Sequence, residues 1–200
     1  LPDDIIIEAY LDRTDLVKRA ISTVEKNLIE GALIVIFVLV LFLGNLRAGL
    51  IVASAIPLSM LFALGLMNVF GVSANLMSLG AIDFGLIVDG AVIIVEATLH
   101  HLGLRQSNQK LSQSDMDNEV FKSASKIRSS AAFGEIIILI VYIPILSLIG
   151  IEGKMFKPMA QTVAFALLGA FILSLTYIPM MSALFLSKKV KHAPNFSDKL

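Results

Sequence analysis

Long runs of apolar residues alternate with short polar segments along most of this chain. At ~1.5 Å per residue, ~20 helical residues cross a ~30 Å hydrocarbon core. Each run is long enough to do so, the first with help from the turn before it. The pattern therefore predicts five membrane-spanning helices, at residues 31–46, 48–70, 75–98, 130–149 and 158–187.

Polar segments flank these runs and complete the predicted architecture. Residues 1–12 are typical of a short strand followed by a turn, and the sheet of this strand lies outside this sequence. We therefore expect the chain to be a fragment in which residues 1–13 are the end of an outward-facing, periplasmic domain. A helix from Thr14 leads into the first span, and the loop 99–129 carries an amphipathic helix, capped at Ser112, that we predict to lie on the membrane surface. The predicted fold is an all-α membrane protein: a bundle of five transmembrane helices within a domain at 14–187, with a short extended N-terminal segment and a surface helix.

Lysine and arginine are distributed unequally between the two sides of the predicted bundle. One side carries ten of them, whereas the short loops of the other carry only Lys154 and Lys157, beside the basic residues of the N-terminal segment. The positive-inside rule assigns the richer side to the cytoplasm. The loop 99–129 and the tail 188–200 are therefore predicted to be cytoplasmic, and the loop 150–157 to face outward.

The composition supports a membrane protein and excludes several classes of function. Hydrophobic residues make up 56% of the chain and charged residues 16%, against about 25% charged in soluble domains. The net charge is zero, which gives no electrostatic basis for nucleic acid as a partner. Cysteine is absent, which excludes thiolate metal sites in this chain, and no Ser/His/Asp set, phosphate-binding loop or zinc spacing occurs. We therefore predict neither an enzyme nor a cofactor.

The third predicted span contains three carboxylates, Asp83, Asp89 and Glu96. Each charged acid near the bilayer centre costs at least ~2.5–3.5 kcal/mol on insertion scales, so solubility does not account for three of them. At ~100° per residue, Asp89 and Glu96 lie ~20° apart on one stripe, and Asp83 lies ~120° from Asp89. Small residues between them allow other helices to approach, so we expect the acids to be buried in protein.

The acids have no basic partner at membrane depth, because no lysine, arginine or histidine occurs inside the predicted spans. Either the carboxyls are protonated or helices outside this chain supply a cation. Both states can be switched by the gain or loss of a proton, which is what a proton relay requires. The alternative is that the acids are packing groups, hydrogen-bonded for example to Ser59 or Ser73.

The run MSLGAIDFGLIVDGAVIIVE, residues 77–96, resembles the fourth transmembrane helix of resistance–nodulation–division pumps, within their heavy-metal efflux branch, the CusA/CzcA type. Residues 30–62 resemble the second and third helices of that branch. Residues 123–146 and 153–184 resemble its fifth and sixth helices. The resemblance thus extends over nearly the whole chain.

The resemblance implies a function and a set of partners. The full protein would be a multi-pass homotrimer of the inner membrane, made of two similar halves and joined to a periplasmic adaptor and an outer-membrane channel. Proton influx would drive export of a metal cation, with Asp83, Asp89 and Glu96 as the acidic relay and a lysine opposite them from the second half. One departure is Ala97, where the family usually has asparagine, and it bears on the orientation of Glu96.

Alternatives for function and for metal binding stay open on the sequence. A drug or solvent efflux pump of the same superfamily would share the acidic helix, whereas a membrane sensing or anchoring module would need no titrating acids. Met77 is a weak candidate for a soft-metal ligand, since methionine in an apolar helix most often fills space. His100 and His101 are interpreted as interfacial groups, and Glu135 as a candidate lining residue near the cytoplasmic mouth.

Overall fold

The computed structural model describes residues 13–73, 83–104 and 112–186. Within these ranges the chain forms eight helices and no strand. Their bounds are α1 Arg13–Leu43, α2 Leu46–Ala53, α3 Ala55–Phe70, α4 Phe84–Leu104, α5 Gln113–Val141, α6 Ile143–Leu146, α7 Gly150–Leu175 and α8 Tyr177–Phe185. The predicted extended segment up to residue 12 and the predicted tail after residue 187 lie outside the described residues.

Five helical stretches are long and apolar enough to cross a membrane, as the sequence predicted. They are Val17–Leu43, Leu46–Phe70, Phe84–Gly103, Gln113–Leu146 and Gly150–Leu175. Many large apolar side chains on them are exposed, among them Leu33, Phe37 and Leu61. Water solvates such a surface poorly and lipid solvates it well. The predicted all-α membrane bundle is confirmed.

The helices are interrupted at three places shortly before a proline. Two interruptions fall inside a spanning stretch, at Ser54 and Tyr142, ahead of Pro57 and Pro144. The third falls at Thr176, directly after the last stretch and ahead of Pro179. A proline lacks the N–H that would bond the carbonyl four residues earlier, and its ring clashes with that carbonyl. The hydroxyls of Ser54 and Thr176 instead donate to backbone oxygens one turn back, each at 2.6 Å. These three prolines therefore mark the points where the helices divide.

The polar segment before the fourth span forms the first half of α5 and is not a separate surface helix. α5 runs without a break from Gln113 to Val141, because no proline occurs within it. Its start is capped as predicted, with the Ser112 hydroxyl accepting from the backbone N–H of Asp115 at 3.2 Å. The predicted apolar stripe is buried in the protein core, and includes Met116, Val120 and Ala124. The prediction that it rests on lipid headgroups is thus corrected.

Two spans begin earlier than their hydropathy indicated. α1 joins the predicted amphipathic helix and the first span into one helix, and α7 begins at Gly150, although the predicted span begins at 158. The first turns of both helices contain charged residues, which lower the mean hydropathy there. Lysine, arginine and glutamate are nevertheless good helix formers on an exposed surface. Lys26 and Glu30, for example, form an exposed pair at 3.8 Å one turn apart.

α4, the acidic helix, is the central element of the bundle. It contacts α1, α2, α3, α5, α7 and α8, while α3 packs along α7. The buried side of α4 places apolar side chains in the core, among them Phe84, Ile87, Ala91, Ile94 and Val95. Because its neighbours all lie on this side, the fold leaves the other side of the helix open.

Candidate functional site

Asp83 precedes the acidic helix and caps it. α4 begins at Phe84, and the Asp83 carboxylate accepts a hydrogen bond from the backbone N–H of Gly85 at 2.8 Å. The Asp83 carbonyl accepts the first bond of the helix, from Ile87 at 3.3 Å. This is the geometry of an N-cap, which aspartate favours because its side chain competes for backbone donors. The prediction that Asp83 lies inside the helix, ~120° around from Asp89, is wrong.

Asp89 and Glu96 share one stripe of α4, as their spacing predicted, and both are exposed. Gly85, one turn before Asp89, and His100, one turn after Glu96, are also exposed. Among the described residues, neither acid makes a hydrogen bond or an ion pair. The expectation that the acids are buried is therefore not met by this chain, because its own helices cover only the opposite side of α4.

The proposed packing partners of the acids bond elsewhere. The buried Ser59 hydroxyl donates to the carbonyl of Ile56 in its own helix at 2.9 Å. Ser73 lies at the end of the described segment that follows α3, is exposed, and makes no hydrogen bond to an acid among the described residues. The hydrogen-bonded packing role considered for Asp89 and Glu96 thus has no support from these two serines.

Glu135 on α5 is the buried carboxyl of this region. Only 8% of the residue is exposed, and its Oε2 lies 3.3 Å from the Ser174 hydroxyl of α7. The carboxyl packs so closely on Gly90 of α4 that a Cβ there would overlap it. Sequence reasoning placed Glu135 near the cytoplasmic mouth, but the contact puts it level with Gly90, beside Asp89. The signal that could have found it is the one used for α4: a lone acid in the apolar stretch that begins at Ala131.

Another acid, which sequence reasoning missed, joins the end of α4 to the start of α5. Glu119 is buried, and its Oε2 lies 2.8 Å from Nε2 of His101, near the end of α4. Its Oε1 lies 4.0 Å from Nζ of Lys122. His101, predicted as an interfacial group, is half exposed and bonds to protein at the same time. Glu119 gave no signal because it sits in a polar stretch where acids are ordinary.

Metal-binding geometry is absent from the described parts of the chain. No group of three or more histidine, aspartate or glutamate side chains is arranged there to hold a metal ion. Met77, the weak candidate ligand, lies outside the described residues. Met67 is buried, and its sulfur lies 3.5 Å from the Thr162 hydroxyl where α3 packs on α7. The Thr162 hydroxyl lies nearer the carbonyl of Pro158, at 2.8 Å.

Comparison with known proteins places this arrangement in a family. A family profile described as AcrB/AcrD/AcrF matches residues 1–199. The chain belongs to the AcrB/AcrD/AcrF family. The matched residues include all five spans and both acids of the stripe, Asp89 and Glu96.

Several proteins of known name are similar to the chain. The cobalt-zinc-cadmium resistance protein CzcA of Cupriavidus metallidurans is 52% identical over 156 residues, covering 77% of this chain and 15% of that protein. The nickel and cobalt resistance protein CnrA of the same strain is 48% identical, over 77% of this chain and 14% of that protein. A crystal structure of a heavy metal efflux pump superposes with a TM-score of 0.78 and 43% identity, covering 92% of this chain and 18% of that one.

These similarities confirm the resemblance to the heavy-metal efflux branch of the resistance–nodulation–division pumps. They also show that this chain of the AcrB/AcrD/AcrF family spans about 15% of the length of the curated relatives it matches. The open side of α4 therefore belongs to a chain that matches only a small part of those longer proteins.

Proposed function

We propose that this chain is part of a pump that uses proton influx to export heavy-metal cations across the cell envelope. The observation that carries the proposal is the open stripe of α4, where Asp89 and Glu96 stand exposed on a helix apolar enough to cross a membrane. The similarity to CzcA and CnrA supports a metal cation as the exported substrate. We place the pump in the inner membrane, as a multi-pass protein.

The physical basis is the free energy of a carboxylate at membrane depth. Such a charge costs at least ~2.5–3.5 kcal/mol unless it is protonated or paired. Within the described residues the carboxyls of Asp89 and Glu96 have no hydrogen-bond or ion-pair partner, so we propose that further helices of the pump cover this stripe. During transport, the groups packed on such an acid change, or its access to water does. The acid then takes up a proton from one side of the membrane and releases it to the other. That exchange is how proton movement does mechanical work on the bundle.

The roles of the three acids follow their order along α4. Asp89 lies in the apolar part of the helix and is assigned the central proton-binding role. Glu96 lies two turns further along and exchanges protons with the cytoplasm. Asp83 stands at the start of α4, where its carboxylate both caps the helix and receives protons from the outer side. This direction depends on the lysine and arginine distribution, which puts the end of α4 on the cytoplasmic side.

The partners are those expected of such a pump. Metal cations and protons are its substrates, and its exposed apolar helices contact the lipid bilayer. We propose a homotrimer that joins a periplasmic adaptor and an outer-membrane channel, so that the cation crosses both membranes. The described residues hold no metal-binding cluster of histidine, aspartate and glutamate side chains.

Two other functions make different predictions for the same chain. A drug or solvent exporter would use the same acidic stripe, but the 52% identity to a cobalt-zinc-cadmium resistance protein favours cations. A sensing or anchoring module would use the bundle as a support and would not depend on a titrating acid. Replacing Asp89 separates this last function from transport.

The experiment is Asp89→Asn in the full-length pump. Asparagine keeps the size of a protonated aspartic acid but carries no charge, so the variant is expected to assemble and to lose metal export. The measurements are metal resistance in cells and proton-gradient-dependent metal transport in vesicles, with expression and trimer formation as controls. Wild-type transport by Asp89→Asn would remove the coupling role and leave the sensing module as the better explanation.

A further inference from the structure

The buried acid Glu135 has no role in the proposed relay, although it meets the physical requirements of one. It faces the interior of the bundle, whereas Phe133, Ile136 and Ile137 on the same helix are exposed. A buried carboxyl in an apolar span costs free energy that an apolar residue of similar size would not. A packing role alone therefore does not explain why the position holds a glutamate.

The contact with Gly90 places Glu135 at the depth of Asp89. A Cβ at position 90 would overlap Oε1 of Glu135, so this approach requires glycine. Asp89 precedes Gly90 directly, and its charge acts on the Glu135 carboxyl. The two acids thus lie on neighbouring helices at one level, with Asp89 on the open side of α4 and Glu135 on the closed side.

The Ser174 hydroxyl can bond to Glu135 in either protonation state. Its oxygen lies 3.3 Å from Oε2 of Glu135 and 2.8 Å from the carbonyl of Phe171. A hydroxyl has one hydrogen to donate and two lone pairs that accept. It therefore donates to a Glu135 carboxylate, and it accepts from a protonated Glu135 when its own hydrogen bonds to Phe171.

No basic group faces Glu135 from the described helices packed on α5. α4 contributes the acid Asp89 and α7 contributes the hydroxyl of Ser174. The nearest basic residue along α7 is Lys157, seventeen positions before Ser174, or ~25 Å of helix. α6 carries no titratable residue, and Tyr177 of α8 has its hydroxyl 3.2 Å from Ser54. On α5 itself the titratable residues of the same face, Arg128 and Tyr142, lie seven positions away, or ~10 Å of helix. Asp89 is therefore the charged group nearest in depth to Glu135.

We propose that Glu135 and Asp89 form a coupled pair of proton-binding acids, so that α4 and α5 each contribute a carboxyl to the transport pathway. When Asp89 is charged, repulsion between the two carboxyls favours a protonated Glu135. When Asp89 is neutral or paired with a cation, Glu135 can ionise at a lower free-energy cost. Gly90 and Ser174 act as positioning residues for this pair. The inference rests on the proton-driven function proposed above.

The test compares Glu135→Gln with Glu135→Asp in the full-length pump, reconstituted in vesicles with a metal gradient and a pH-sensitive dye. Glutamine keeps the hydrogen bond but cannot ionise, so metal-dependent proton flux should be lost. Aspartate can ionise and should retain part of the flux, with a displaced pH profile. Glu25→Gln, an exposed acid of α1, is the matched control and should behave as the wild type. Equal loss in both Glu135 variants, or wild-type flux in Glu135→Gln, would overturn the inference.

Two further measurements distinguish rejection of the Glu135 role from rejection of the proposed function. Asp89→Asn is assayed alongside: its wild-type flux would reject the proposed function, whereas its loss with normal Glu135→Gln flux would reject only the Glu135 role. If Glu135→Gln does not assemble, Ser174→Ala takes its place, because it leaves the carboxyl but removes the hydroxyl that bonds to it. The pH profile of transport should then be displaced, and an unmoved profile contradicts the inference.

Discussion

The carboxyl of Glu135 lies directly against the backbone of Gly90, so α4 and α5 meet where there is no space for another carbon atom. One residue earlier, Asp89 points to the open side of α4. A single turn of α4 thus has its own acid, Asp89, exposed on one side and the Glu135 carboxyl of α5 enclosed on the other. The same contact packs α4 on α5 and sets the two acids at one depth.

Gly90→Ala should destabilise the bundle, because the added methyl group would displace Glu135 from its site. Overpacking of this kind costs about 1–3 kcal/mol. The measurement is the thermal unfolding midpoint in detergent, with Gly134→Ala as the control. Gly134 is the residue before Glu135, and a Cβ there meets nothing within 4 Å. Equal midpoints for the two variants would show that the Gly90 contact tolerates a side chain.

Asp83→Ala and Asp83→Asn should separate the cap from the relay. Alanine cannot accept the bond from Gly85, so we expect a loss of about 0.5–2 kcal/mol of stability. Asparagine keeps the cap but not the charge, so it should preserve stability and reduce metal transport. Stability is read from thermal unfolding and transport from vesicle assays. Full transport by Asp83→Asn would restrict Asp83 to the cap.

The orientation of the bundle predicts which loops accept a membrane-impermeant thiol reagent. The chain has no cysteine, so single cysteines can be introduced without a background. Lys110→Cys should be labelled only after the cells are opened, because the basic side is predicted to be cytoplasmic. Lys154→Cys, on the opposite side, should be labelled in intact cells. The reverse pattern would invert the proposed direction of the acidic relay.

The contact between His101 and Glu119 should couple the end of α4 to the start of α5. A double-mutant cycle with His101→Ala and Glu119→Ala is expected to give a coupling energy of about 0.5–1 kcal/mol, a value reduced by solvent because His101 is half exposed. Thermal unfolding of the four proteins measures it. Lys122→Ala, whose Nζ lies 4.0 Å from the same carboxylate, should couple less strongly. Additive effects of His101→Ala and Glu119→Ala would mean that the contact contributes nothing.

The sequence alone determined most of the fold and the main features of the site. Lipid requires long apolar helices, so the five spans could be found from hydropathy without any tertiary contact. The interruptions near Pro57, Pro144 and Pro179 and the cap at Ser112 are local, and each follows from one residue type and its neighbours. The shared stripe of Asp89 and Glu96 followed from helix geometry alone.

Only the tertiary structure decided which side of each helix is covered. A helical wheel fixes angles within α4, but the open face depends on where α5 and α7 pack, and those helices come from distant parts of the sequence. The site of Glu135 joins Gly90, Glu135 and Ser174, three residues of three helices, and no spacing in one helix predicts such a meeting. Burial and hydrogen bonding are properties of the packed bundle. The enclosed position of Glu135 could therefore not be predicted from the sequence.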